Sequence, residues 1–495
     1  MKYLLKYSLI ATLVFGVSSC SFFEELETPN KNDLEVADVL SDPTTYPALI
    51  SSSFGNFWNA TMVSFPTMPV SVAAQEMSMS WGNWGARDLG TIPRLPLNNT
   101  QSYGNAGLIE DVWFNVYGVL VQTNNILKLI DEGNDVIVDF DGDGNTENIN
   151  DIVRAGGKLL QGLSLGHLAM RYDQAFIVDE NTDVATLGFS PYDEVGAAAV
   201  TKLEEAVVLF NANTFTAGWI NGLNWTNTQF AQFASSYIAR IIAGNSRTAA
   251  ENAAANWNKV LTTANAGLPM DYAPIGDGGV VWWSRILIQG QDAVWARLSQ
   301  RVVTEMAIPA DRAPGGPAPY PWPDGVASLP PLTAGHDNRV TTDLTYSGAP
   351  SFSADRGYYF FSSYRYSRYD AYPASSFTTP MVNYSAMERD TYIAEALIRT
   401  GGSKTQAATL INNTRVTRGG LPALTGAESD QVLLDAIFYE RRAEIGWTWP
   451  SVIFYDRRRN DDLETGTYKH MPVPARELNV LGVELYTFGG EGMEM

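Results

Sequence analysis

The chain has almost no cysteine, very little histidine and too little positive charge to balance its acids. Cys20 is the only cysteine among 495 residues, so no intramolecular disulfide forms and a zinc site built on cysteines is excluded. The histidines are three, His167, His336 and His470, and no H-E-x-x-H pattern or phosphate-binding P-loop occurs. Lys and Arg total 33 against 54 Asp and Glu, a net charge of −21. That balance argues against a nucleic-acid binder, which needs a basic face to displace counterions, and against electrostatic adhesion to anionic lipid. Beyond the N-terminus no apolar run approaches the roughly 20 residues that cross a bilayer as a helix. What is present is ordinary globular composition, 45% hydrophobic and 18% charged, which fits neither a disordered chain nor a multi-span membrane protein.

The first residues read as an address. Lys2 and Lys6 give a positive start, and Leu9 to Val17 form an apolar stretch too short for an anchor. The run Val17-Ser18-Ser19-Cys20 resembles a bacterial lipobox, with Val in place of the usual Leu and Ser in place of Gly or Ala. Residues 1–19 are therefore expected to leave as a lipoprotein signal peptide, with Cys20 as the lipidation site. A thiol there can take a thioether-linked diacylglycerol, and the new N-terminus a further acyl chain. Several chains hold a protein on a membrane where one does not. Ser21-Phe22-Phe23-Glu24-Glu25 looks like the Ser-plus-acidic surface-export signal of Bacteroidota-type lipoproteins, or is simply a solvated acidic stretch; residues 20–45 read as a tether.

Apolar periodicity predicts a chain that is mostly helix. From 105 to 130, Trp113, Tyr117, Leu120, Val121, Asn124, Leu127 and Ile130 recur at helical spacing, and a second helix is expected over 151–173. Ser190 as N-cap and Pro191 at the first position predict another, with Val195, Ala199, Leu203, Ala206 and Phe210 on its apolar face. Further helices are predicted near 226–243, 247–267, 290–307, 384–400, 403–417 and 428–446. Residues 308–380 are a long irregular segment rich in Pro, Gly, Tyr and Ser, and the tail from 447 reads as loop and short strand. The late helices come as a pair bounded by Gly401-Gly402 and Gly419-Gly420, with Ala394, Ala396, Ala407 and Ala408 small enough for close approach. The expected fold is all-α, made of tetratricopeptide-like helix pairs without a clean period of about 34 residues. Such pairs bury their apolar faces only against neighbours, so residues 46–495 are expected to form a single domain.

The C-terminal third carries a recognisable set of motifs. Ile393-Ala394-Glu395-Ala396-Leu397-Ile398-Arg399-Thr400-Gly401 resembles the AEAL-R-G helix of the SusD/RagB family of outer-membrane nutrient-uptake lipoproteins, and Ala407 to Arg415 is similar to the helix that follows it there. Tyr439-Glu440-Arg441-Arg442-Ala443-Glu444 matches the family's ERR-E helix. Tyr455-Asp456-Arg457-Arg458 and the stretch Met471 to Leu478 resemble its ending, with Arg457 where Leu is usual. The motifs fall within about 380–480, inside a C-terminal signature region of about 380–495. The resemblance implies a SusD-like α-α superhelix with long loops and no catalytic centre. It also implies an anchored protein on the outer membrane, facing the exterior, as a lid on a TonB-dependent, SusC-like β-barrel transporter. There it captures a glycan or other oligomeric nutrient and hands it to the pore, and no cofactor is required. Read from the residues alone, Glu440 and Glu444 share a helix face, and Arg441 and Arg442 can pair with acids on neighbouring helices, which is a structural role.

In that family an arc of aromatic side chains contacts the ligand, because the apolar face of a sugar stacks on a ring. Aromatics in loops are therefore the ligand-binding candidates: Trp81 and Trp84 in a Gly-rich turn, Trp282 and Trp283 after Asp277-Gly278-Gly279, and Tyr320 and Trp322 in the Pro-rich segment. Loop packing or the barrel interface are their other roles. Asp139, Asp141, Asp143 and Asn145 place oxygen ligands at alternate positions with Gly144 sixth, the pattern of a Ca²⁺ loop. Asn150 stands where a complete EF-hand has Glu, so the choice is between a structural Ca²⁺ loop and an exposed turn. Gly162-Leu163-Ser164-Leu165-Gly166 satisfies the nucleophile pattern G-x-S-x-G, but its flanks continue one helical pattern where a strand would have to precede it. The alternative function is a surface lipoprotein hydrolase acting on a polysaccharide, since a catalytic carboxylate pair leaves no local signature among 54 acids.

Overall fold

The computed structural model describes residues 39–63, 67–79, 85–215, 218–220, 223–290, 292, 296–306, 332, 337–347, 362–449 and 452–491. The chain divides into two compact units, Met1–Thr45 and Tyr46–Met495. In the first, residues 39–45 end in the 3-10 turn Pro43–Thr45, where Thr45 Oγ1 donates to Val39 O at 3.0 Å.

The second unit is built on helices whose apolar residues recur every three to four positions. The main ones are α1 (Tyr46–Trp58), α2 (Gly107–Asp131), α3 (Asn150–Arg171), α4 (Tyr192–Ala212), α5 (Asn227–Gly244), α6 (Trp257–Asn265), α7 (Ala386–Arg399), α8 (Lys404–Arg415), α9 (Asp430–Ile445), α10 (Val452–Arg459) and α11 (Ala475–Leu481). Several starts are written locally. Thr226 and Gln229 form a reciprocal capping box on α5, and Ser385, Ser403 and Ser429 accept from the amides of Glu388, Gln406 and Val432.

Consecutive helices pack on one another: α2 on α3, α3 on α4, α4 on α5, α5 on α6, α6 on α7, and α7 on both α8 and α9. This is the expected stack of pairs, and it explains why no regular period is visible. The partners α6 and α7 touch, yet residues 266–385 lie between them in the chain. Close approach in the stack depends on glycine. A Cβ on Gly162 would fall 2.5 Å from Leu203 Cγ on α4, and one on Gly166 would overlap Ile241 Cδ1 on α5. The G-x-S-x-G run is thus a helix-packing seam: Ser164 is fully buried in the middle of α3, with helix on both sides.

Strands are short. Among the described residues β1 (Met77–Ser78) pairs with β6 (Arg297–Leu298), β2 (Ile137–Val138) with β3 (Glu147–Asn148), β4 (Gln174–Phe176) with β5 (Phe189–Pro191), and β7 (Leu344–Tyr346) with β8 (Tyr364–Tyr366), all antiparallel. Ser362 N donates to Leu298 O at 3.2 Å, which brings the β7–β8 hairpin beside β6.

Four expectations need correction. Ser190 does not cap α4; it lies in the β4–β5 ladder opposite Ala175, and the helix begins at Tyr192. The 247–267 helix is two helices, Ala249–Ala254 and α6, because Asn256 caps the second by accepting from Lys259 N. The 290–307 helix is replaced by helices Arg285–Gln289 and Gln300–Met306 on either side of β6. The tail from 447 contains α10 and α11 where loop and strand were expected. In α10 the arginines are buried with the apolar residues, so no hydrophobic alternation marks it.

Candidate functional site

The motifs of the C-terminal third meet in space. Glu395 on α7, fully buried, accepts from Arg441 Nη2 of α9 at 3.0 Å, from Arg459 Nη1 and Nη2 of α10 at 2.7 Å each, and from Arg399 Nε at 2.9 Å. Asp456 joins the same guanidinium groups, at 2.5 Å from Arg441 Nη1 and 2.7 Å from Arg459 Nη2. Glu440 and Glu444 share a face as expected, and both bind Arg339, at 2.8 and 3.2 Å. Arg240 on α5 reaches Glu388 at 2.7 Å and Asn383 O at 2.8 Å. Burial alone would raise the Glu395 pKa, but Arg459 and Arg441 outweigh it and hold the carboxyl well below the usual glutamate range. The same contest brings Glu305 down to about 2, with burial opposed by Arg457, Arg442 and Arg301. Glu395, Asp456 and Glu305 are oriented and kept ionised by guanidinium groups, and Glu388, Glu440 and Glu444 are each paired with an arginine, the arrangement of a scaffold.

The aromatic region is built differently. Tyr272 and Ile275 form antiparallel bridges with Tyr384 and Pro380. Between them Gly278 and Gly279 take φ of 82° and 92°, which side chains resist. The Asp277 carboxylate accepts from the amides of Val280, Val281 and Trp282 at 2.9, 2.8 and 3.0 Å. Burial pushes the Asp277 pKa up, but those three donors outweigh it and leave the carboxyl below its ordinary value. This turn sends the two tryptophans into different surroundings. Trp282 is 2% exposed, its ring 5.2 Å from that of Trp58, so it belongs to the core and not to a ligand surface. Trp283 is half-buried; its carbonyl accepts from Trp58 Nε1 at 2.7 Å and the Arg285 guanidinium lies 4.9 Å from its ring centre. Nearby Ile275 is 56% and Val280 77% exposed. Phe377, half-buried, lies against Gly279, with Gly278 N donating to its carbonyl at 3.2 Å. Ser376 and Phe377 hold φ of 57° and 68°, a region that non-glycine residues seldom occupy and that collects at functional loops. Phe377 was not among the sequence candidates, since its Ser-Ser-Phe-Thr-Thr surroundings carry no signal for that geometry.

Trp81, Trp84, Tyr320, Trp322 and Cys20 lie outside the described residues. At the tip of the β2–β3 hairpin, Asp139, Asp141 and Asp143 present carboxylate oxygens within 4.8 Å of one another, all exposed. Asp139 also accepts from Gly142 N and Gly144 N at 2.8 and 3.0 Å, and Asp143 from Asn145 N at 2.7 Å. An all-oxygen set of this kind suits a hard cation. Asn150 does not join it; its side chain binds Asp135 and Val136 N.

No protein-family model matches the sequence, and no curated protein matches it. Solved structures match it in fold. A SusD superfamily protein from Bacteroides vulgatus superposes with a TM-score of 0.60 at 16% identity, over 89% of this chain and 97% of its own. A SusD homologue from Bacteroides thetaiotaomicron gives 0.60 at 12%, over 92% and 99%. A structure solved with xylogluco-oligosaccharide gives 0.53 at 12%, over 84% of each chain. The fold is the helical, SusD-like one that the C-terminal motifs implied. No helix among the described residues is long and apolar enough to cross a membrane.

Proposed function

We propose that this chain is a lipid-anchored, surface-exposed outer-membrane protein that binds a glycan or other oligomeric nutrient and passes it to a TonB-dependent, SusC-like β-barrel transporter, changing no covalent bond in it. The observation that carries this reading is the SusD-like fold, shared over 84% of the chain with a structure that was solved with xylogluco-oligosaccharide. Trp283 and Phe377 supply half-open rings for the apolar face of a sugar, and the exposed Ile275 and Val280 extend that surface. Cys20 supplies the anchor. The non-enzymatic reading is supported by Glu395 and Asp456 of the family motifs, which Arg441 and Arg459 hold ionised, whereas a glycosidase needs one carboxyl kept protonated beside a second.

Calorimetric titration of the mature protein with xylogluco-oligosaccharide and other glycans, together with a reducing-end assay, tests the reading. Binding without new reducing ends is expected; turnover would replace it with the hydrolase. Extraction in mild detergent with the anchor intact is expected to bring down a large β-barrel protein, and its absence across several detergents would defeat the transporter role.

A further inference from the structure

Seven of the eight buried acids among the described residues have an arginine partner; Glu76 is the exception. It is 3% exposed, and its Oε1 accepts from Trp447 N at 2.9 Å. Its Oε2 has no hydrogen-bond partner among the described residues. Two other buried polar atoms are in the same condition: Tyr366 Oη on β8, and Arg442 Nε on α9, which lies 3.4 Å from Glu305 Oε2 without a hydrogen bond to it. All three residues line one chamber, walled also by Asp343 and by apolar side chains such as Val302 and Met306, with about 20 Å³ of space for water-sized guests. Unpaired buried polar atoms are destabilising and uncommon, and an internal water is the usual remedy where roughly 10–15 Å³ and two to four polar partners are available.

We propose that this chamber is an internal water site in which water bridges Glu76, Tyr366 and Arg442, and that the Glu76 carboxyl takes up and releases a proton there, giving the root of β1 a response to pH. The space excludes a larger guest, and the Arg442 guanidinium on the wall repels a metal cation. The charged and titratable groups around Glu76 are Arg442 from α9, Arg457 from α10, Asp343 and Tyr366 flanking β7 and on β8, and Arg297 on β6. Burial pushes the Glu76 carboxyl up to about 7, with Ser71, Trp447 N and Arg457 opposing. Because that value lies above the ordinary 4.5, the stability Glu76 contributes is complete below about 4.5 and is lost as pH rises through about 7. Glu76 directly precedes β1, its carbonyl accepts from Ser299 N at 3.1 Å, and the chain then runs on to Trp81 and Trp84.

Crystals of the mature protein grown on the acid and alkaline sides of neutrality test the site. Water within hydrogen-bond distance of at least two of the three atoms is expected; an empty chamber or a metal ion there overturns the proposal. In solution, the infrared band of a protonated buried carboxyl should disappear with a midpoint near neutrality and be missing from Glu76→Gln. Should that variant fail to fold, Tyr366→Phe removes one partner of the water and should raise the midpoint. A midpoint unmoved in Tyr366→Phe, or a band that persists in Glu76→Gln, sinks the assignment.

Discussion

The helical stack and the 266–385 excursion are held together by different means. In the stack, each helix covers the apolar face of the one before, and its C-terminal end is locked by guanidinium–carboxylate pairs with almost no exposure. The excursion joins the stack through one such cluster, Arg339 with Asp337, Glu440 and Glu444, but its other described parts have two-residue and three-residue strands, left-handed backbone at Ser376 and Phe377, and exposed apolar side chains at Ile275 and Val280. The first arrangement specifies one geometry at high internal cost; the second leaves rings within reach of solvent. Recognition commonly falls to loops set on a rigid frame, and here residues 266–385 supply the exposed rings while Arg339 and Glu305 tie the segment into the frame.

That division can be broken from the stack side first. Glu395→Ala leaves Arg441 and Arg459 buried without their shared acid, and should cost about 3–5 kcal/mol in urea unfolding. A loss no larger than about 1 kcal/mol, the scale of an exposed pair, would erase that difference between the regions. Gly166→Val forces a side chain into Ile241 and should cost about 1–3 kcal/mol by overpacking. Acid acts on the same kind of ion pair, at Glu395 within the stack and at Glu305 where the excursion docks on it. Glu395 and Glu305 are both depressed, so the stability they contribute is present above about 4.5 and lost as pH falls toward about 2. Melting curves across that window should shift downward, and less so in Glu305→Gln. From the excursion side, Trp283→Ala should change stability by less than about 1 kcal/mol while weakening glycan affinity by roughly tenfold, about 1.4 kcal/mol. Equal damage to both would merge the two regions. The smallest effect concerns the hairpin tip. Added Ca²⁺ should raise the melting temperature by about a degree or two, and Asp141→Asn should abolish the rise.

How much could be read beforehand follows the same line. The ends of α7 and α8 were legible because Gly401-Gly402 and Gly419-Gly420 follow them, and the structure adds Ser385, Ser403 and Ser429 as caps at the starts of α7, α8 and α9. The apolar face of α4, from Val195 to Phe210, was also plain from spacing. α10 was not, because whether an arginine is buried depends on its partner, and Glu395 is 64 residues from Arg459. Val121, which helical spacing groups with Trp113 and Leu120, is exposed, since the buried face of α2 runs through Val116, Val119, Leu120 and Thr123. Trp282 and Trp283 are neighbours in sequence, and only the turn set by Asp277 and the two glycines decides which of them enters the core. The Asp-x-Asp-x-Asp tip was visible as a pattern, and its carboxylates do converge.

One consequence follows from the contact between α6 and α7. Because these two helices meet although residues 266–385 separate them, the excursion leaves and re-enters the body through a single doorway. Closing a longer flexible insert at a fixed doorway adds only about 0.6 kcal/mol for each doubling of its length. The length of the segment is therefore cheap to change but its docking residues are not: a graft between Asn265 and Ala386 leaves the scaffold standing only if it keeps Arg339 against Glu440 and Glu444, Glu305 against Arg457, and Trp282 against Trp58.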